Sequence, residues 1–181
     1  MKLYRFSPIK NHKGLLEAIK HIHIECHRLC KGSFGKSLPN AGNIGVFCHY
    51  DKEYETLIKL RAKLAEPSDD PNQKYFRLYE PITIPTKGNI PGATYTHIYI
   101  RKPDPYRHHV GDLDFYLEQQ TYSKIKQSML NGRGLKGARV FERTDLDMIE
   151  LYNPDIDVLA YVSTKKMTQK VRVKQSEITK L

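Results

Sequence analysis

Tyr95, His97, Tyr99 and Arg101 fall at every second position of the stretch Tyr95-Thr-His-Ile-Tyr-Ile-Arg101. In a β-strand, alternate side chains share a face, so these four lie together and Thr96, Ile98 and Ile100 line the other side. The stretch Tyr75-Phe-Arg-Leu-Tyr79 repeats the pattern, with Tyr75, Arg77 and Tyr79 opposite Phe76 and Leu78. Rings stack on unpaired bases and guanidinium groups hold phosphates. If the two strands pair, one wettable face carries Tyr75, Arg77, Tyr79, Tyr95, His97, Tyr99 and Arg101. Covered by a helix, the same rings read as ordinary core with hydroxyls reaching polar partners. Past Arg101 the chain runs Lys102-Pro-Asp-Pro-Tyr-Arg-His-His109. Lys102 and Arg107 make this loop cationic, and Pro103 and Pro105 lower the entropy cost of ordering it on a ligand.

A second group is His21-Ile-His-Ile-Glu-Cys-His-Arg-Leu-Cys30. On a helix His23, His27 and Cys30 stand at i, i+4 and i+7 and project together. His49 or Cys48 would complete a tetrahedral zinc site. No cofactor is required by the pattern, but zinc is admitted by it. The competing reading is that Cys26 and Cys30 are small core residues and the histidines sit at a helix boundary. Cys48 beside His49 on a strand is no dyad, because neighbours face opposite ways. The glycines of Asn131-Gly-Arg-Gly-Leu-Lys-Gly137 follow a helix, and Gly42-Asn-Ile-Gly45 precedes a strand. Neither is the context of a phosphate-cradling loop. His97 in an early strand and Glu150 in a late one resemble the opposed metal ligands of vicinal-oxygen-chelate enzymes. A strand intervenes between His97 and the next helix, and no second module is apparent in the sequence.

The elements that must position these groups follow from periodicity. Leu15, Ile19, Ile22, Cys26 and Leu29 mark one buried stripe of a helix over 14–31, stopped by Gly32. A loop over 32–45 leads to a short strand at 46–50, and Asp51 is placed to cap a helix over 52–65. The polar stretch 65–74 reads as a flexible connector. Strands are expected at 75–84, 94–102 and 112–117, the last with Leu113, Phe115 and Leu117 on one face. A helix near 120–131 and strands near 138–143, 146–152 and 158–163 follow. A basic tail over 164–181 is expected to add a strand at Val171 and Val173. The order is not the regular alternation of a doubly wound sheet. It predicts an α+β fold, a largely antiparallel sheet with two or three helices packed mainly on one face, in a single domain over 1–181. No fixed-period repeat or low-complexity segment is present.

The 181 residues carry a formal charge of +10. The surplus is +7 over residues 1–65, zero over 66–132 and +3 over 133–181. Such a surplus concentrates polyanions near the chain. Three cysteines cannot all pair within one chain, and reduced thiols are the default. No apolar run suits a membrane span, and residues 1–8 lack the apolar stretch of a secretory signal, so a cytoplasmic protein with no membrane partner is expected. The leading functional expectation is RNA, single-stranded DNA or polyphosphate binding on the Tyr/Arg face. A metal-dependent hydrolase or nuclease is the first alternative and a protein–protein adaptor the second. Oligomeric state is not legible.

Overall fold

The structure, a computed structural model, describes residues 4–172. Helix α1 spans His12–Phe34, strand β1 Asn40–Phe47 and helix α2 Asp51–Leu64. Strands β2 (Phe76–Ile84), β3 (Ala93–Arg101) and β4 (Gly111–Leu117) follow. Helix α3 (Gln119–Leu130) leads to β5 (Ala138–Arg143), β6 (Leu146–Leu151) and β7 (Val158–Thr164), and α4 covers Lys165–Lys170.

All seven strands join one sheet in the order β2-β3-β1-β4-β7-β6-β5. β1 runs parallel to β3, and β4 runs parallel to β7. The central β1/β4 pair and the outer pairs are antiparallel. This corrects the expected largely antiparallel sheet. The sheet is mixed and is accompanied by four helices. The reason is connectivity: α2 carries the chain out of β1 and α3 carries it out of β4, and each excursion ends on a strand parallel to the one it left. The sheet therefore consists of two similar units side by side. In each, a strand and a helix are followed by an antiparallel return that lays the last strand beside the first.

Alternation along β4 sets the two faces. Gly111, Leu113 and Phe115 point toward α1, where Ile22 sits over Gly111 and His27 stands edge-on to Phe115 with ring centroids 5.0 Å apart. The stripe Leu15, Ile19, Ile22, Cys26 and Cys30 of α1 is buried there with Ile44, Ile98, Ile149, Val158 and Val162. A Cβ at residue 111 would lie 2.5 Å from Ile22 Cδ1 and 2.1 Å from the Gly45 carbonyl oxygen, so glycine lets the helix settle on the strand. Asp112 and Asp114 point to the opposite face. There α4 closes one end: Asn43 donates to the Thr168 carbonyl at 3.0 Å and to Asp114 at 2.8 Å.

Element ends differ from expectation where side chains give way to backbone geometry. α1 continues past Gly32 to Phe34 and ends on Gly35 in the left-handed region (φ 71°). Asp51 is the first residue of α2 and not its cap. Tyr50 holds the cap position without a side-chain cap bond, and buried Glu53 instead ties the segments before the helix, accepting from the His49 amide at 2.7 Å and from the Ile9 amide at 2.7 Å. β1 begins at Asn40, within the expected loop. Residues 165–170, expected as tail, form α4, while Val173 and the rest of the tail lie outside the described residues.

Burial holds His27 at about 4, with His23 repelling a second charge. Its ring nitrogens are buried without hydrogen-bond partners. As pH falls below the ordinary imidazole value of about 6.5, the unfolded chain takes a proton that the folded chain refuses, so acid costs stability. His27→Leu is therefore expected to gain on wild type as pH falls from about 7 to about 5, by on the order of 1 kcal/mol after allowance for solvent screening. Denaturant titrations of both chains at each pH check this; a constant difference would sink it.

Candidate functional site

The face opposite α1 holds a cavity of about 220 Å³. Its acidic wall is Asp112 and Asp114, two residues apart on β4. Tyr75, Tyr99, Tyr161, Phe141 and Met148 supply ring and apolar surface, and Arg101, Arg107 and Arg143 also line it. Such a mixture of apolar wall and convergent polar groups is the usual make-up of a small-molecule site.

Asp112 is 7% exposed and lies against Gly45 of the neighbouring strand. Its Oδ1 sits 2.0 Å from where a Cβ of residue 45 would be. Any side chain there would evict the carboxyl. That same Oδ1 is buried without a hydrogen-bond partner. Burial raises the group to about 7, and the neighbouring Asp114 charge adds to the rise; Arg101, Arg107 and the Gly45 backbone oppose it. Asp114 is differently placed. It is also raised by burial, to about 6, but Asn43 and Arg172 hold it lower. Arg172 in turn donates to Asn43 Oδ1 at 2.5 Å and to the Ala41 carbonyl. One carboxyl is thus anchored and the other has a free oxygen.

Arg101 and Arg107 share one acid. Arg101 donates to Asp104 at 2.9 Å and Arg107 lies 3.7 Å from the same oxygen. Tyr161 donates to Glu150 at 3.1 Å, and Arg139 holds the other oxygen of that buried carboxylate at 2.8 Å. Tyr75 tilts against Tyr99 with centroids 5.6 Å apart.

The expected Tyr/Arg face is divided. Pairing of β2 with β3 jumps from Arg77↔His97 to Ile82↔Tyr95, so alternation breaks at Thr96. Tyr95 turns to the α1 side, wholly buried, with its hydroxyl 2.6 Å from His23 Nδ1. Tyr79 falls in the irregular part of β2 and is exposed; Arg77, also exposed, faces Glu66 at 3.7 Å. His97 stays opposite α1, its Nδ1 2.9 Å from Thr96 Oγ1, and is held at about 4 by burial, Arg172 and Arg77. Of the expected face and loop, Tyr75, Tyr99, Arg101 and Arg107 line the cavity, and Lys102 is exposed beyond it. The expectation of an RNA- or single-stranded-DNA-binding sheet face is corrected accordingly. Its central ring is core, and the groups that remain border a cavity walled by carboxyls rather than an open stacking plane.

The expected zinc cluster is also dispersed. His23 and His27 are neighbours in the core, with ring centroids 4.7 Å apart. Cys30 donates its thiol toward the Lys36 carbonyl, and His49 is bonded to Ser7 and stacked on Tyr4. Among the described residues no three His, Cys, Asp or Glu side chains are grouped to hold a metal ion. Nor do His97 and Glu150 form a ligand pair: β1, β4 and β7 stand between their strands, and both Glu150 oxygens are engaged.

The sequence reading missed Asp112, Asp114, Gly45 and Asn43. A signal was present. Assigning Leu113, Phe115 and Leu117 to the core face puts Asp112 and Asp114 together on the other, a carboxylate pair at i, i+2.

No protein-family model matches the chain, and no curated protein matches it. Among solved structures it is similar to the structural-genomics Protein EC4020 (12% identity, TM-score 0.57, covering 93% of this chain and 97% of that one). That likeness is one of fold. Weaker overlaps are with a glyoxalase/bleomycin resistance protein/dioxygenase superfamily member from Vibrio splendidus 12B01 (7% identity, TM-score 0.34, 66% and 93% covered) and with Streptomyces coelicolor methylmalonyl-CoA epimerase (16% identity, TM-score 0.29, 70% and 99% covered). Their TM-scores are too low to carry anything over to this chain. Among the described residues no helix is long and apolar enough to cross a membrane.

Proposed function

We propose that the chain is an enzyme that moves a proton on a small polar molecule bound in the cavity opposite α1. The observation that carries this reading is Asp112: a buried carboxyl that lines the cavity, its Oδ1 held over a glycine without a hydrogen-bond partner. An orphaned buried acceptor of this kind is costly, and a ligand proton would satisfy it.

The chemistry follows from the pair. A carboxyl with a midpoint near the working pH is the effective general acid or base. Paired acids pushed to different values by their surroundings take different roles. Asp112 as carboxylate accepts a proton from a C–H or O–H beside a carbonyl. The bonding pair moves toward the carbonyl oxygen, and Arg101 and Arg107 stabilise the negative charge that gathers there. The neutral Asp112 carboxyl then returns the proton, so no other reactant is consumed. Asp114 positions Asn43 and keeps a second charge near enough to hold Asp112 up.

A carbon-13 NMR titration of the full chain is expected to place Asp112 near 7, above Asp114. A midpoint in the ordinary range near 4 overturns the reading. With small C–H acids in D2O, pyruvate first, wild type is expected to exchange deuterium into the carbon, and Asp112→Asn to slow this by about 10²–10⁴-fold. Exchange untouched by Asp112→Asn would remove Asp112 from the role.

Stability gives an independent check. An acid raised in the folded state contributes stability at low pH that is lost as pH climbs toward 7. Asp112→Asn is therefore expected to become more stable than wild type as pH rises from about 4 to about 8, by on the order of 2 kcal/mol. Denaturant unfolding at the two extremes measures it; a variant weaker than wild type at pH 8 contradicts the buried charge.

A further inference from the structure

A second hollow, of about 480 Å³, opens beside the first. It lies between Tyr54 and Arg61 of α2, the segment Pro71–Lys74 and the loop that leaves β3. The two share Lys74, Tyr99 and Arg101, so they are continuous along one wall. Their chemistry differs. The cavity near Asp112 has two carboxyls in its lining. These stand beside Lys74, Arg101, Arg107 and Arg143. The outer hollow has four cations, Arg61, Lys74, Arg101 and Lys102, against one acid, Asp104, which Arg101 and Arg107 already share.

Those cations are not all committed to structure. Asp104 is taken by Arg101 and Arg107. Arg61 lies flat over Phe76, its guanidinium carbon 3.6 Å from the ring centroid, which fixes the group in place. Lys74 and Lys102 are exposed, and both line the hollow. Pro71, Pro103 and Pro105 stiffen the walls that carry them. A guanidinium held on a ring, with two exposed ammonium groups lining the same hollow, suits an anionic group.

We infer that the outer hollow seats the anionic end, a phosphate or a carboxylate, of the same small molecule whose reactive end meets Asp112. The inference rests on the proton-transfer reading for its inner end, while the outer seat stands on its own residues. It makes the substrate a small acid or phosphate ester, anchored at Lys74 and Lys102 and turned over at Asp112. It also gives the prolines and cations of the loop after β3 a purpose at the site.

The test uses the full chain, labelled with nitrogen-15, at constant ionic strength. Inorganic phosphate and malonate are titrated separately. Saturable shifts are expected at the amides of Gln73, Lys74 and Lys102, with Leu113 and Met148 unmoved. The tighter of the two probes identifies the anchored group. Lys74→Glu with Lys102→Glu, both at exposed positions, is expected to weaken that probe by about tenfold or more. Phosphoglycolate, which carries both a phosphate and a carboxylate, is expected to shift both sets of amides at once. Absent saturation, or saturation indifferent to the double variant, overturns the anion seat. Shifts from phosphoglycolate confined to the outer set would overturn the single spanning ligand. An ordinary Asp112 titration with intact phosphate binding would instead break the proton-transfer reading alone, so the two failures are told apart.

Discussion

Everything on the cavity side depends on the seam between β1 and β4. Two glycines lie there in register, Gly45 opposite Asp112 and Gly111 opposite Val46. Each clears a different face. At residue 111 the missing side chain admits Ile22 of α1, which seals the core. At residue 45 it admits the carboxyl of Asp112. A side chain at 45 would push that carboxyl away from the strand and toward water. The Asp112–Asp114 repulsion would ease, burial would lessen, and the group would return toward an ordinary acid. The fold and the chemistry thus meet where neither strand has a side chain to spare.

The pairing of parallel strands explains why this seam is central. Each of the two similar units closes by laying its last strand beside its first, β3 beside β1 and β7 beside β4. The opening strands β1 and β4 are left with one free edge each, and they pair with one another. Both are then interior strands with neighbours on either side. Polar residues on the face away from α1 are buried by the sheet's own breadth and by α4, not by a second layer spanning the whole face. That arrangement leaves a hollow lined by strand residues, which is where Asp112, Tyr161, Tyr99 and Arg101 converge.

Helices and strands were largely legible from pattern, since the α1 stripe Leu15 to Leu29 and the alternation in Leu113, Phe115 and Leu117 survive in the structure. Strand direction was not. Nothing local in β1 or β3 states whether they run together; only the crossover through α2 does, and its return point is a long-range fact. The twofold repetition left no residue-level trace, because the units share topology and not side chains. Tyr95 was misplaced for a sharper reason. Alternation assumes an unbroken ladder, and the irregularity at Thr96 reverses every residue before it. The site was half legible. Tyr99, Arg101 and Arg107 stood out by type, whereas Asp112 and Asp114 were passed over, because their burial comes from strands and a helix distant in sequence.

The charge balance raises one question that the geometry answers. A chain of net charge +10 with arginines lining the cavity ought to pull a nearby carboxyl down, not leave it raised. Attraction does act: Arg101 and Arg107 both oppose the rise at Asp112. They lose because they are a quarter exposed and already share Asp104, so water and a nearer acid take up much of their field. Asp112 is far more deeply buried, and desolvation acts on it in full. The cations are therefore placed to attract a ligand's charge without discharging the acid beneath it. A charge that arrives with the ligand would displace water from the same guanidinium groups, and the field at Asp112 would change with occupancy. On the proposed reading, the protonation of Asp112 and the binding of an anion would be coupled through Arg101, which lines both hollows.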